Sequence, residues 1–197
     1  MTAPQRREVI ERVATEVFAE RGYEGASIDE IARRSGVSAP VVYDHFASKQ
    51  DLYRRLLVRT RDELLEMWRE HLASDAPAGV RIPRALDAWA AYVETHPYAS
   101  RMYFRETTGV PEVMAFHREL HAQARTALGA LLAREPGSER LAGSDDPEAL
   151  EMAAEVIRSG LTGLAVWWND HPDVPREQIV ATAVAVLWTG LDRASRG

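Results

Sequence analysis

The chain of 197 residues contains no cysteine, which excludes disulfide frameworks, thiolate zinc sites and cysteine nucleophiles. Lysine is nearly absent too: Lys49 stands alone among 24 basic side chains. No apolar run approaches the ~18 consecutive residues of a membrane-spanning helix. The opening stretch, MTAPQRREVIERVATEVF, scatters charges through its apolar positions and so lacks the uninterrupted core of a secretory signal. A cytoplasmic location is the expectation. Neither a P-loop nor a G-x-S-x-G nucleophile elbow occurs, so nothing suggests an enzyme or a cofactor site.

What is present points to a folded globular chain, with 46% hydrophobic and 27% charged residues. The net charge of −6 is unevenly placed. Residues 1–55 hold nine basic and nine acidic groups, whereas the remainder holds 15 basic and 21 acidic groups. A neutral N-terminal segment on an acidic body can bind nucleic acid only through positioned contacts, not through bulk attraction.

Every long segment carries helical periodicity and none alternates like a strand. Val9, Ile10, Val13, Ala14, Val17 and Phe18 form one stripe on a first helix, about Pro4–Arg21, which Gly22 stops. Ser27 caps a short helix, Ile28–Ser35, with Glu30 completing a capping box, and Gly36 ends it. Ser38 caps a third helix to about His45, and Ser48 opens a fourth through about Leu72. After a loop at Ala73–Arg81, helices are expected near Ile82–His96, Tyr98–Thr107, Pro111–Arg134, Pro147–Asn169 and Pro175–Ala194. The Pro136–Pro147 segment is the expected long loop.

The short helix, tight glycine turn and second short helix over residues 27–45 spell a helix-turn-helix. Ile28, Ile31, Ala32, Val37, Val41 and Phe46 supply the small or apolar residues where its helices cross. Over residues 17–57 the chain resembles the TetR family of bacterial transcriptional regulators. The matching positions are Phe18, Gly22 and Tyr23; Ser27, Ile28, Ile31, Ala32, Ser35, Gly36, Val37 and Ser38; and Tyr43, His45, Phe46, Ser48, Lys49 and Leu52. Beyond residue 57 the likeness rests on length, the all-helical reading and the phrase GLAVWWNDHPDVP.

The resemblance implies an all-α fold of about nine helices. A DNA-binding domain at 1–50 is joined by the helix at 48–72 to a ligand-binding and dimerisation bundle at 51–197. It implies a homodimer on a palindromic operator, acting as a repressor released by a small-molecule effector that shifts the fourth helix. It also implies phosphate contacts for Tyr43, Lys49 and His45, with Ser27 and Ser38 adding to their capping duties. Packing for Tyr43 and a solvent-facing place for His45 are the competing readings. Lys49 sits at a helix N-terminus, where its charge is otherwise unfavourable, which favours a phosphate partner. Base reading falls by position to Ser38, Ala39, Pro40 and Val42, short side chains suited to thymine methyl groups. Arg33 and Arg34 suit the groove or solvent equally.

In the C-terminal half, the helices at 147–169 and 175–194 are apolar on most sides, more than one core requires. Gly160, Gly163, Leu164, Trp167, Val184, Leu187 and Trp188 are the expected dimer interface, against the reading that these are central helices of a monomeric bundle. Trp89, Tyr92, Tyr103, Phe104, Phe116, His117 and Trp167 are candidate pocket residues, although aromatics at helical spacing more often form core. His117 and His121 share a helix face, but HRELH is not the H-E-x-x-H of a metalloprotease, and no metal is expected. The competing function is a helical ligand-binding or interaction protein that has lost specific DNA binding.

Overall fold

The computed structural model describes residues 2–73, 75–105, 109–133 and 147–188, without the side chains of Pro147 and Trp188. Helix α1 spans Ala3–Gly25, α2 Ile28–Ser35, α3 Ala39–Tyr43 and α4 Lys49–Leu72. These are followed by α5 (Ala78–Thr95), α6 (Pro97–Phe104), α7 (Pro111–Leu132), α8 (Pro147–Asn169) and α9 (Arg176–Ala183). A π-helical turn, Val184–Trp188, continues α9. The described residues contain nine α-helices and no strand, as an all-α reading requires. The expected helix end at Thr107, the loop from Pro136 and the helix end at Ala194 lie outside the described residues.

The chain forms two compact units, residues 1–61 with 96–119, and residues 62–95 with 120–197. This differs from a division at residue 50. The boundary falls inside α4, and α6 with the start of α7 joins the first unit. The cause is packing of α6 on α1, with Met102, Tyr103 and Phe104 buried, a long-range contact that local periodicity does not announce.

In the first unit, α1 starts earlier than the apolar stripe suggests. Thr2 and Gln5 close a capping box, with Gln5 N–H donating to Thr2 Oγ1 at 3.4 Å and Thr2 N–H to Gln5 Oε1 at 2.8 Å. Gly22, at φ 70° and ψ 174°, breaks the helical geometry where a stop was expected, and one further turn forms to Gly25. Of the expected stripe, Ile10, Val13, Ala14, Val17 and Phe18 are buried and Val9, at its edge, is half-buried.

In the second unit, α5 begins a turn before the expected Ile82 and carries Pro83 within it. Arg81 accounts for the early start. Its buried guanidinium donates to Ala76 O at 2.6 Å and to Leu72 O at 2.7 Å, satisfying one carbonyl of the preceding loop and the last carbonyl of α4. Arg176 of α9 reaches Asp87 at 3.2 Å and Glu94 at 3.2 Å, two carboxylates two turns apart on α5. Trp89, Leu86, Leu161, Trp168 and Ile179 are buried in this unit.

Candidate nucleic-acid interface

The turn between α2 and α3 is built by Gly36 at φ 70° and ψ 29°, a left-handed conformation that costs a side-chain-bearing residue steric energy. Gly36 N–H bonds Arg33 O at 3.3 Å and Val37 N–H bonds Ala32 O at 3.0 Å, the paired closure of a Schellman motif. Ser27 caps α2 through a 3.1 Å bond from Glu30 N–H. The capping box stays half formed, because the Glu30 carboxylate turns to Arg34 at 2.6 Å. Arg34 also holds Glu20 at 2.9 Å, and these two hydrogen bonds raise its pKa above the usual arginine value. That engagement turns Arg34 away from the groove role weighed for it, while Arg33 is exposed.

Helix α3 is anchored on one side only. Val42 and Phe46 are fully buried, and the Arg7 guanidinium lies 5.5 Å from the Phe46 ring centre. Here the sequence reading needs correction. Position in the motif predicts Val42 at the base edges and Val41 in the core, whereas Val42 is 0% exposed and Val41 half-buried. The reason is the i, i+4 row: Val42 lies one turn before Phe46 and must share its face. The apolar Phe46 carries that signal in the sequence. Ser38, Pro40 and Tyr43 are left outward, Tyr43 at 53% exposure, with Ala39 and His45 half-buried. Ser38 makes no side-chain capping bond, contrary to expectation, and its hydroxyl has no hydrogen-bond partner among the described residues. The exposed Asp44 beside Tyr43 is a further outward group that the motif comparison passed over.

Lys49 requires the largest correction. Its ammonium donates to Tyr23 O at 2.8 Å and to Ala26 O at 2.9 Å and lies 4.4 Å from the Tyr23 ring centre. Burial lowers its pKa from the ordinary lysine value, and the nearby Glu24 carboxylate partly opposes that shift. Two of its three N–H groups are thus spent on carbonyls after the Gly22 break, where helix-end backbone carries partial negative charge. Lys49 ties the start of α4 to the end of α1. Position at a helix N-terminus was the visible signal, but the carbonyls that take the charge are more than twenty residues away in sequence. Ser48 caps α4 as expected, with Asp51 N–H donating to its hydroxyl at 3.0 Å.

The interface candidates separate in the second unit. Gly163 has no heavy atom near the place a Cβ would occupy, whereas Gly160 faces Leu187 of the same chain. Gly160 therefore serves packing within the protomer. Leu164, Val184 and Leu187 are half-buried, and the Trp188 side chain lies outside the described structure. Trp167 is 45% exposed and stacks on His171 with ring centres 4.0 Å apart. Met152 and Val156, each 64% exposed, extend the same helical row and were not singled out from sequence.

The pocket candidates are distributed over both units. Trp89 and Tyr92 lie in the second unit, Trp89 fully buried and Tyr92 donating to Glu63 at 2.7 Å. Tyr103, Phe104, Phe116 and His117 lie in the first unit. There His117 Nε2 is 2.9 Å from the Tyr53 hydroxyl, and Phe116 lies under Arg54 at 4.7 Å. Trp167 is exposed, with its ring stacked on His171.

Two short helices about a left-handed glycine turn, the second anchored on one side and presenting Ser38, Pro40 and Tyr43 on the other, define a helix-turn-helix DNA-binding regulator. Residues 10–56 match the family described as bacterial regulatory proteins, tetR family. The chain is 31% identical to the HTH-type transcriptional activator FasR of Mycolicibacterium smegmatis over 95% of this chain and 83% of that protein. It therefore belongs to the TetR family. A tetR-family transcriptional regulator from Streptomyces coelicolor is 27% identical, with a TM-score of 0.66 over 100% of this chain and 89% of that one. FadR from Bacillus subtilis, solved in complex with stearoyl-CoA, shares the fold at TM-score 0.74 and 18% identity, covering 92% and 95% of the two chains.

Proposed function

We propose that α3 enters the major groove of a palindromic operator as half of a homodimer. The observation that carries this reading is the one-sided anchoring of α3 after Gly36. Ser38, Ala39 and Pro40 face base edges and Tyr43 bonds phosphate; Ser27 and His45 stand at the margins. Val42 and Lys49 act from behind, holding α3 and α4 in place. None of the outward residues makes the bidentate base contact of an arginine or asparagine, so discrimination rests on methyl contacts and DNA shape. No catalytic step is part of this role, and the reading places the protein in the cytoplasm. Functionally, the helix-turn-helix occupies residues 1–50, and the effector and the partner subunit belong to the remainder.

The dimer reading rests on α8. Met152, Val156, Gly163, Val166 and Trp167 recur at helical spacing along one exposed side, an apolar stripe that water solvates poorly. Two binding units held at a fixed spacing of ~34–36 Å meet successive half-sites on one face of DNA.

Repression released by a small-molecule effector is the regulatory reading offered. Activation is the second, favoured by the name of the M. smegmatis relative. The test is fluorescence anisotropy on DNA flanking the gene, followed by transcription from that fragment. Affinity that falls steeply with salt and depends on a two-fold symmetric site supports operator binding. Equal affinity for shuffled DNA refutes it in favour of a helical interaction protein. The direction of the transcript change separates repression from activation.

A further inference from the structure

The outward positions of α3 fall into two rows, Ala39 with Tyr43 and Pro40 with Asp44, while Val42 and Phe46 hold the opposite side. Asp44 N–H donates to Pro40 O at 2.9 Å, and φ −64° with ψ −25° keeps Asp44 in helical geometry. Its side chain therefore leaves on the same side as that of Pro40, about 5.4 Å further along the axis. The carboxylate is exposed, and no described residue hydrogen-bonds or ion-pairs with it. Other acids of the same unit behave differently. Glu11, Glu16, Glu30 and Asp51 each hold an arginine four positions away, at 2.6 to 2.9 Å. The positions three and four away from Asp44 are Pro40, Val41, Ala47 and Ser48, none of them a cation. A helix C-terminus is also where an acid is least favoured, because the last carbonyls carry partial negative charge. Local stability thus supplies no reason for a carboxylate at this position.

With α3 in the groove, the phosphates oppose that carboxylate as well. A duplex offers it one kind of compensation, an amino group on a base edge. In the major groove these donors are cytosine N4 and adenine N6. Adenine sets its N7 acceptor beside the donor, where it repels the second carboxylate oxygen; the neighbour of N4 on the cytosine ring is a C–H. We propose that Asp44 is a specificity-determining residue that accepts a hydrogen bond from the N4 amino group of a cytosine in each half-site. This contact rests on the operator reading above and adds one hydrogen-bonded base to its methyl contacts. The rise from Pro40 to Asp44 places the cytosine within about two base pairs of the Pro40 contact.

Selection of binding sites from a randomised duplex pool, by the full chain and by its Asp44→Ala variant, tests the assignment. The parent should recover a two-fold symmetric site with a C·G pair fixed in each half. The variant should recover the same site with that one pair relaxed to any base. In anisotropy titrations at a single salt concentration, replacing the C·G pair by T·A should weaken parent binding about tenfold, because thymine turns its O4 acceptor to the carboxylate. The same replacement should change the affinity of Asp44→Ala by less than about twofold. A recovered half-site without a fixed C·G pair overturns the proposal on the parent chain alone, whatever the variant does. So does a fixed A·T pair that Asp44→Ala relaxes, or a variant that selects with unchanged stringency at every position. A variant that merely binds all duplexes more tightly belongs with these, since that is how a solvated acid repelled by phosphate behaves. Recovery of no symmetric site by the parent is a separate result: it refutes the operator reading itself, and the cytosine contact with it.

Discussion

Replacing Lys49 with Met separates two roles that a motif comparison cannot distinguish. If the ammonium serves the protein, the variant loses two bonds to the Tyr23 and Ala26 carbonyls and the contact with the Tyr23 ring. Hydrogen bonds involving a charged group contribute about 1.5–3 kcal/mol each, and an ammonium over an aromatic ring about 0.5–1 kcal/mol. Part of that gain is offset by desolvation, which the lowered pKa of Lys49 registers. Met retains most of the apolar stem, so the expected net loss is ~2 kcal/mol. For a chain of this size that corresponds to a fall in melting temperature of ~4–8 °C. Urea unfolding should show a lower midpoint with an unchanged slope, the signature of altered stability without altered compactness. Operator affinity should fall because α4 and the helix-turn-helix are less firmly joined, while the slope of log affinity against log salt changes by less than ~0.5. The opposite pattern would refute the reasoning. Stability unchanged within ~0.5 kcal/mol, with a salt slope reduced by ~0.9, would mean that the ammonium neutralises a phosphate.

Val42→Ala should cost ~1–3 kcal/mol in urea unfolding, because a fully buried side chain is truncated; a neutral result would return Val42 to the DNA-facing side. Tyr43→Phe should weaken operator binding by about 1 kcal/mol in anisotropy titrations at unchanged melting temperature. A lower melting temperature with full affinity would make the hydroxyl structural. Gly163→Arg meets open space within its own chain, so sedimentation should show a folded monomer that no longer binds operator; a variant that still sediments as a dimer would move the interface elsewhere. Glu155 is held down to about pKa 2, chiefly by its hydrogen bonds with Arg158. A depressed carboxylate pKa stabilises the folded state fully above the ordinary value of 4.5, and the effect is lost as pH falls towards about 2. Glu155→Gln should therefore melt below the parent at pH 7, with the difference narrowing from pH 4.5 downward. A difference independent of pH would assign the effect to packing.

Helix existence and order were legible because each helix carries its own periodicity and punctuation, and Gly36 and Ser48 act through residues within a few positions of themselves. Errors arose where a side chain's partner is distant in sequence. Arg81 extends α5 by reaching back to α4, Lys49 turns to the end of α1, and α6 joins the first unit by packing on α1. The swap of Val41 and Val42 has another origin. In a five-residue helix, periodicity alone cannot fix the buried side, and only the row through Phe46 does so. Ser38, Pro40 and Tyr43, chosen by position, are exposed, and their contacts with DNA are what the operator titrations test. The aromatic pocket candidates illustrate the converse. Composition gathers them into one set, while the contacts each makes, such as Tyr92 with Glu63 and His117 with Tyr53, depend on partners distant in sequence.

The lone lysine has a consequence for labelling chemistry. A neutral amine attacks acylating reagents and the aldehydes of reductive alkylation, and the only side-chain amine in the protein is Lys49. Its nitrogen is lodged against two carbonyls and a tyrosine ring. Modification must first break the bonds by which Lys49 ties the start of α4 to the end of α1. The rate at which this single amine reacts thus becomes a clock for the opening of that joint, readable by mass spectrometry, and comparable with and without DNA.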